Sequence, residues 1–473
     1  MGSTVNVSPT KEFFVEMLTR DIELNDAILD LLDNCLDGVV RLRAQTQKLH
    51  NSNFYESYGA DIFISNTMFT IKDNCGGIPR DKAENYAFRM GRDAVETTDQ
   101  PTIGIYGIGM KRAIFKIGRE AVVHTFHKDE RYSVKIPANW ASTSDWTFPI
   151  EENDEENDLT LNGTEIRIGE LNEGIRELWG TNDNLTSFVG RLKKAIQESY
   201  SLIIQKGFTI KINGEKVDAN PVELLIQKNS EKSGVRPYIF TGQFDDVSVK
   251  MAIGFYSPMA SEDEIDEMNE AKRTSSDAGI TVVCNDRVVL YNDKSGLTGW
   301  GTNGVPHYHT QFIGIKGIVV FESNKPGALP MTTTKRGIDH SSNLYIAIKD
   351  KICEGLKMFT NYTNKWKGRN VQERVHSTSA ERISYNDLFS EQAKKDFGVV
   401  LRTDRRSGGE TYRPSLPMPE NEKPYKVIRF SKDSKDIKVL IRHFYGNEEE
   451  NISPSVIGEK CFDKVLSEVK EEV

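Results

Sequence analysis

Asp26, Asp30, Asn34 and Asp37 recur along residues 24–43 at steps of four, four and three. At helical spacing they fall on one stripe, with Leu24, Ile28, Leu31 and Cys35 on the opposite one. A helix with that pattern is either a surface helix with a solvated acidic face or the wall of a polar site. In a site, that stripe would face something polar.

Three further stretches carry residue types suited to a nucleotide. In "TIKDNCGGIP", residues 70–79, an alternating strand ends at Asp73 and runs into Gly76 and Gly77. Such a carboxylate can accept from an amino group while a flat ring slides over glycine backbone. In "TIGIYGIGMKRAIFKIG", residues 102–118, Gly104, Gly107 and Gly109 precede Lys111 and an apolar helix. A helix N-terminus there would offer unpaired N–H groups and a positive dipole end to phosphates. The spacing is neither the Walker pattern nor the Rossmann fingerprint. In "LNGTEIRI", residues 161–168, Thr164 opens a strand that could bring a hydroxyl beside Asp73.

In this order the four stretches resemble the N, G1, G2 and G3 boxes of the GHKL superfamily, which includes gyrase B, the ninety-kilodalton heat-shock chaperones, histidine kinases, MutL and MORC ATPases. The resemblance covers roughly residues 20–170. It implies the Bergerat left-handed α/β sandwich, with ATP bound through Mg²⁺. By motif position Asn34 would coordinate Mg²⁺, Asp37 would fill the second acidic position near the base and ribose, and Asp73 would accept from the adenine amino group. Gly77 would line the base, Gly104, Gly107, Gly109 and Lys111 would cradle phosphates, and Thr164 would support the adenine side. Residues 80–103, with Arg92, fall where the family has a mobile ATP lid. Two positions depart from the pattern. The family's general base is a glutamate four residues before the asparagine, and this chain has Asp30, one methylene shorter. Misplacement on that scale costs about 100-fold in rate, so slow hydrolysis is expected. Asp33 is the alternative base. Cys75 stands where the first glycine of D-x-G-x-G is usual.

Downstream, "LPMTTTKRGID", residues 329–339, places Lys335 and Arg336 on a Thr-rich loop. In gyrase B, MutL and MORC a transducer domain sends a lysine to the γ-phosphate, and Lys335 is the residue that this resemblance implies. It would neutralise charge developing on the phosphoryl oxygens. The hairpins "KINGEKV" and "VCNDRVV" look like strands of that domain. A histidine kinase is disfavoured, because no phosphoacceptor-histidine helix precedes the N box.

Positioning these residues calls for more than one core, since single cores stop growing at about 250–300 residues and the chain has 473. The expected organisation is an ATP-binding domain (1–175), a transducer-like α/β domain (176–370), a helical stretch and Pro/Gly-rich linker (371–424), and a small strand–helix–helix unit (425–473). Helices are expected over 12–20, 24–43, 80–91 and 107–117, and an acidic loop, 151–158, at the tip of a hairpin. Hydrophobic residues make up 37% of the chain and charged ones 28%, with no apolar run long enough for a bilayer, so no membrane role is expected. The N-terminus has no signal-peptide pattern, which makes the cytoplasm the expected location. A net charge of −9 argues against coating nucleic acid by electrostatics alone. Five scattered cysteines suggest neither a disulfide framework nor a metal cluster. The resemblance implies an ATPase whose ATP state closes a homodimer, as a clamp or switch on DNA or a protein partner. Two alternatives stay open: a hydrolysis-poor sensor or binding module, for example in bacterial antiphage defence, and an ATP-dependent chaperone.

Overall fold

The computed structural model describes residues 10–43, 49, 51–89, 107–152, 154–228, 233–260, 264–265, 277–332, 335–404, 408–419, 428, 431–446 and 452–471. Thr10 caps helix α1 (Lys11–Arg20), its hydroxyl accepting from the Phe13 N–H at 3.3 Å. Helix α2 (Leu24–Arg43) spans the expected segment, with Asp26 in its first turn and Arg41 and Arg43 in its last, each sign complementing the helix dipole.

Among the described residues the strands form two large sheets, of eight and seven strands, and a two-stranded one. The first contains β1 (Gly59–Ile64), β2 (Phe69–Asp73), β3 (Gly118–His127), β4 (Glu130–Ile136), β5 (Ile150–Glu152), β6 (Gly163–Leu171), β7 (Thr209–Ile212) and β8 (Glu215–Lys216). Their order is β5-β4-β3-β6-β2-β1-β7-β8. Only the β1–β7 pairing is parallel, with Ala60 opposite Ile210. Ala60, Ile62 and Ile64 alternate inward along β1, as expected of a strand with one face covered. Helices α2, α3 (Gly109–Ile117) and α4 (Asn182–Ser199) supply the cover, sharing one core with the sheet through Ile28, Leu32, Ile114 and Leu192. This is the expected α/β sandwich.

The first core extends further than expected. Trp179, Ile196, Ile203, Ile212 and Val217 all belong to it, and the "KINGEKV" hairpin lies at the edge of the first sheet instead of in the second domain. The hairpin itself is as read, with Asn213 and Gly214 at φ of 48° and 85°. Its partner strand β1 is far away in sequence, so no local pattern announces the pairing. The acidic segment also departs from expectation. It crosses from β5 to β6, which are not neighbours, and Asn157 is buried, donating to the carbonyls of Thr125 and Tyr132.

The second sheet is formed by β10 (Tyr238–Phe244), β11 (Val247–Phe255), β12 (Gly279–Cys284), β13 (Arg287–Asp293), β14 (Ile315–Glu322), β16 (Arg402–Asp404) and β17 (Gly409–Tyr412), in the order β13-β12-β14-β11-β10-β17-β16. Strands β9 (Glu223–Ile226) and β15 (Glu381–Ser384) pair separately. Helix α5 (Asn343–Trp366) packs Ile348, Ile352 and Phe359 against Val249, Ile253 and Val319. Part of the expected linker is sheet: Gly409–Tyr412 pairs with Gly242–Ile239, and the Pro417 carbonyl accepts from Trp366 Nε1 at 3.1 Å. An edge position tolerates the Gly and Pro content that reads as a linker. Beyond it come α6 (Ser434–Tyr445) and α7 (Pro454–Glu471), while the strand expected over 425–430 lies, apart from Ile428, outside the described residues. Within the helix expected over 80–91, the described residues form a short helical turn, Arg80–Lys82, continued by a π-helical turn over Ala83–Ala87. No helix is long and apolar enough to cross a membrane among the described residues, and Cys35, Cys75, Cys284, Cys353 and Cys461 are free thiols.

Candidate functional site

Asp73 ends β2, where its Oδ1 accepts from the backbone N–H of Cys75 at 2.7 Å and of Thr164 at 3.3 Å. Thr164 thus reaches Asp73 through its backbone N–H, where a hydroxyl contact was expected. Burial pushes the Asp73 carboxyl up, hydrogen bonds from Cys75, Cys35 and Thr164 pull it back, and the net lies above 3.8. The turn after it has no room for side chains: a Cβ on Gly77 (φ 68°) would lie 2.3 Å from the Phe126 carbonyl oxygen. Cys75 fits the departed glycine position as a buried thiol, held neutral by burial and by Asp73. Its backbone touches α2, where a Cβ on Gly38 would meet the Cys75 carbonyl oxygen at 2.4 Å. That close approach sets the distance between the acidic helix and the turn.

From Ala27 to Val40, Asn34 is the one exposed residue. The acidic stripe as a whole is therefore not open: Asp30, Asp33 and Asp37 are 6%, 1% and 5% exposed. The cover comes from the second domain and from α3. Lys335 places Nζ 3.2 Å from Asp30 Oδ1 and 2.7 Å from Asp33 Oδ2. Arg112 on α3 pairs with Asp30 Oδ2, and Arg336 pairs with Asp26. Arg287, which begins β13, places Nε 3.1 Å from Asp33 Oδ1, and the Tyr200 hydroxyl donates to the same oxygen at 2.7 Å.

Burial pushes the Asp33 carboxyl up, but Lys335 and Arg287 outweigh it and hold the group below the ordinary value. Burial likewise lowers the Lys335 ammonium, and Asp33 and Asp30 together raise it above 10.5. This is a network of buried charges in which every member has an opposite charge at contact distance.

Gly107 and Gly109 lead into α3, whose first turn has no side-chain cap among the described residues, leaving N–H groups for a ligand. A Cβ on Gly109 would stand 3.4 Å from Asp30, so this helix end sits directly against the acidic helix. Gly104 and Arg92 lie outside the described residues. Lys111, expected to cradle phosphates, faces the glycine loop in this structure. Its side chain is buried, and Nζ donates to the carbonyls of Ala87 at 2.8 Å and of Gly107. Consecutive helical residues point about 100° apart, so only one of Lys111 and Arg112 can face Asp30. Arg112 is the cation that does, and its Nε is buried without a hydrogen-bond partner among the described residues. Sequence reading passed over Arg112, Arg287 and Tyr200. Arg112 alone had a local signal, as the next basic residue after the glycine loop.

These features fit a bound nucleoside triphosphate. A fixed carboxylate beside a turn stripped of side chains suits a purine base, and an uncapped helix end with an orphaned guanidinium nitrogen suits phosphate. Among the described residues no three His, Cys, Asp or Glu are grouped to hold a metal. Residues 22–164 match the family model described as histidine kinase-, DNA gyrase B-, and HSP90-like ATPase, over less than half of the chain. No curated protein matches the chain. Residues 22–164 are thus similar to ATP-binding domains of the GHKL type.

Proposed function

We propose that the protein is a slow Mg²⁺-dependent ATPase in which Asp30 activates water and Lys335 reports the γ-phosphate to the second domain. The observation that carries this reading is the contact of Lys335 with Asp30 across the two domains, at 3.2 Å. Asp73 and Thr164, with Gly77, would take the adenine. Asp37 would face its ribose end, and Gly107, Gly109 and the α3 N-terminus would take the phosphates. Asn34 is the side chain of the acidic helix left open to a cation, and Mg²⁺ there would keep waters and phosphate oxygens as its remaining ligands. When bound, the ion would neutralise phosphate charge during transfer of the γ-phosphoryl group to water.

A base must be reached by the water it activates, and both Asp30 oxygens face cations in this state. Movement of Lys335 toward a γ-phosphate would release Oδ1, linking the start of chemistry to the presence of that phosphate. Such an arrangement favours a state-dependent switch over fast turnover. Closure of a homodimer around DNA or a protein partner is the output that the gyrase and MutL resemblance suggests.

Hydrolysis of radiolabelled ATP by the full chain tests the reading, together with nucleotide affinity. Asp30→Asn is expected to abolish turnover while affinity stays within about threefold. Equal turnover in the mutant would remove Asp30 from the role of base. ATP binding with no hydrolysis in the wild type would favour the hydrolysis-poor sensor instead.

A further inference from the structure

Asp33 has three donors on its two oxygens. Oδ1 receives the Tyr200 hydroxyl at 2.7 Å and Arg287 Nε at 3.1 Å, and Oδ2 receives Lys335 Nζ at 2.7 Å. Its carboxylate is 1% exposed and held ionised by two cations. With three donors and almost no exposure, Asp33 is more enclosed than Asp30 and less well placed to be the base. It is well placed to hold something else.

Arg287 is fixed from several directions. Its Nη1 donates to the carbonyls of Ser199 at 3.3 Å and Val288 at 2.9 Å, and its guanidinium lies 4.4 Å from the centre of the Tyr200 ring. It stands immediately after the tight turn Asn285–Asp286, where both residues have positive φ, 46° and 66°. The β12–β13 hairpin therefore delivers the guanidinium to the acidic helix as a rigid part. Lys335 comes from a different loop of the same domain and has a long, freely rotating stem. Without an anchor its ammonium would be one flexible charge among several carboxylates.

We propose that Arg287 is a positioning residue for Lys335. By fixing the Asp33 carboxylate in one orientation, with Tyr200, it leaves Oδ2 as the seat that holds the Lys335 ammonium next to Asp30. The hairpin and the lysine loop then move together, so the γ-phosphate contact proposed for Lys335 would be transmitted through β12–β13 into the second sheet. The kinetic part of this inference rests on the proposed ATPase function; the seating of Lys335 does not.

Two measurements on the full chain separate the two claims. The first is the rate at which Lys335 is acylated by an amine-reactive ester in nucleotide-free protein, read by peptide mass spectrometry. Arg287→Ala and the milder Tyr200→Phe are expected to accelerate acylation of Lys335, by about tenfold or more for Arg287→Ala, with Arg287→Lys intermediate and circular dichroism unchanged. An unchanged rate at Lys335, or equal acceleration at buried lysines such as Lys206, would overturn the seat. The second is ATP turnover, with affinities for ATP and ADP. Arg287→Ala is expected to lower kcat about tenfold and remove any preference for ATP over ADP, at little cost in ADP affinity. Adding Arg287→Ala to Lys335→Ala should cost almost nothing further, because both act through one contact. Multiplicative losses would show that Arg287 acts by another route and overturn the positioning role. If acylation responds as expected while the wild type neither binds nor hydrolyses ATP, the seat stands and the ATPase reading fails.

Discussion

Lys206, in the first domain, and Asp286, at the turn of the β12–β13 hairpin, meet at 2.6 Å with side chains 5% and 1% exposed. The Tyr55 hydroxyl approaches the other Asp286 oxygen at 3.3 Å, and Lys206 also donates to the Leu49 carbonyl at 2.7 Å. Burial pushes the Asp286 carboxyl above its ordinary value despite the ammonium beside it. The hairpin thus inserts two adjacent charged residues, Asp286 and Arg287, into the first domain.

Removing one partner of such a pair strands the other. Asp286→Ala is expected to destabilise the chain by about 3–5 kcal/mol, because the Lys206 ammonium stays buried without its counter-charge. The double variant Lys206→Met with Asp286→Leu should recover most of that loss. Urea unfolding of the three proteins checks both statements.

Gly38→Ala is expected to cost about 1–3 kcal/mol, since its Cβ would stand 2.4 Å from the Cys75 carbonyl oxygen. The helix and the turn must separate to admit it, so nucleotide affinity should fall as well. Gly190, on α4, has nothing within 4 Å of the place a methyl would take, and Gly190→Ala should instead stabilise by about 0.5–1 kcal/mol. Thermal melts of both variants, with equilibrium dialysis of ATP, give the comparison.

Asp30→Glu restores the longer side chain found at this position in the resembling families. Turnover is expected to rise by about tenfold or more, with a ceiling near 100-fold, if reach is what limits water activation. No gain in single-turnover hydrolysis would mean that the contacts of Asp30 with Arg112 and Lys335 set the rate instead.

The Asp33–Lys335 attraction has a defined pH window. Asp33 titrates below 3.8 in the folded protein and Lys335 above 10.5. Stability from the depressed carboxyl is present above the unfolded value and lost as pH falls through the folded one; stability from the raised ammonium is present below its unfolded value and lost as pH rises through the folded one. The stability gap between wild type and Asp33→Asn should therefore stay level from about pH 5 to about pH 9 and narrow on acidification below the unfolded carboxylate value. Denaturant midpoints across that range test it.

What the amino-acid sequence disclosed, and what it hid, follows sequence distance. The α2 limits and the placement of Thr164 beside Asp73 could be read from periodicity and motif order. The Asn213–Gly214 hairpin was visible, but its sheet was not, because β7 pairs with a strand that has no local relation to it. Arg287 reads as an ordinary strand residue, since its partner Asp33 lies 254 positions away. The acidic stripe reads as a solvated face or the wall of a polar site, whereas the carboxylates of Asp30, Asp33 and Asp37 are covered and the Asn34 amide is open. Cations from another domain leave no mark on a helix's own pattern.

The strand order of the second sheet gives the hairpin a mechanical consequence. Strand β13, on which Arg287 sits, forms one edge, and β16, paired with β17, forms the other. Seven strands at about 4.8 Å spacing set those edges roughly 29 Å apart. With the hairpin seated in the first domain as a fulcrum, a tilt of about 10° would sweep the far edge through about 5 Å, given that strand spacing. From β17, beside that edge, the chain continues to α6 and α7, so such a tilt would carry the far edge of the sheet, with the carboxylate network at the short end.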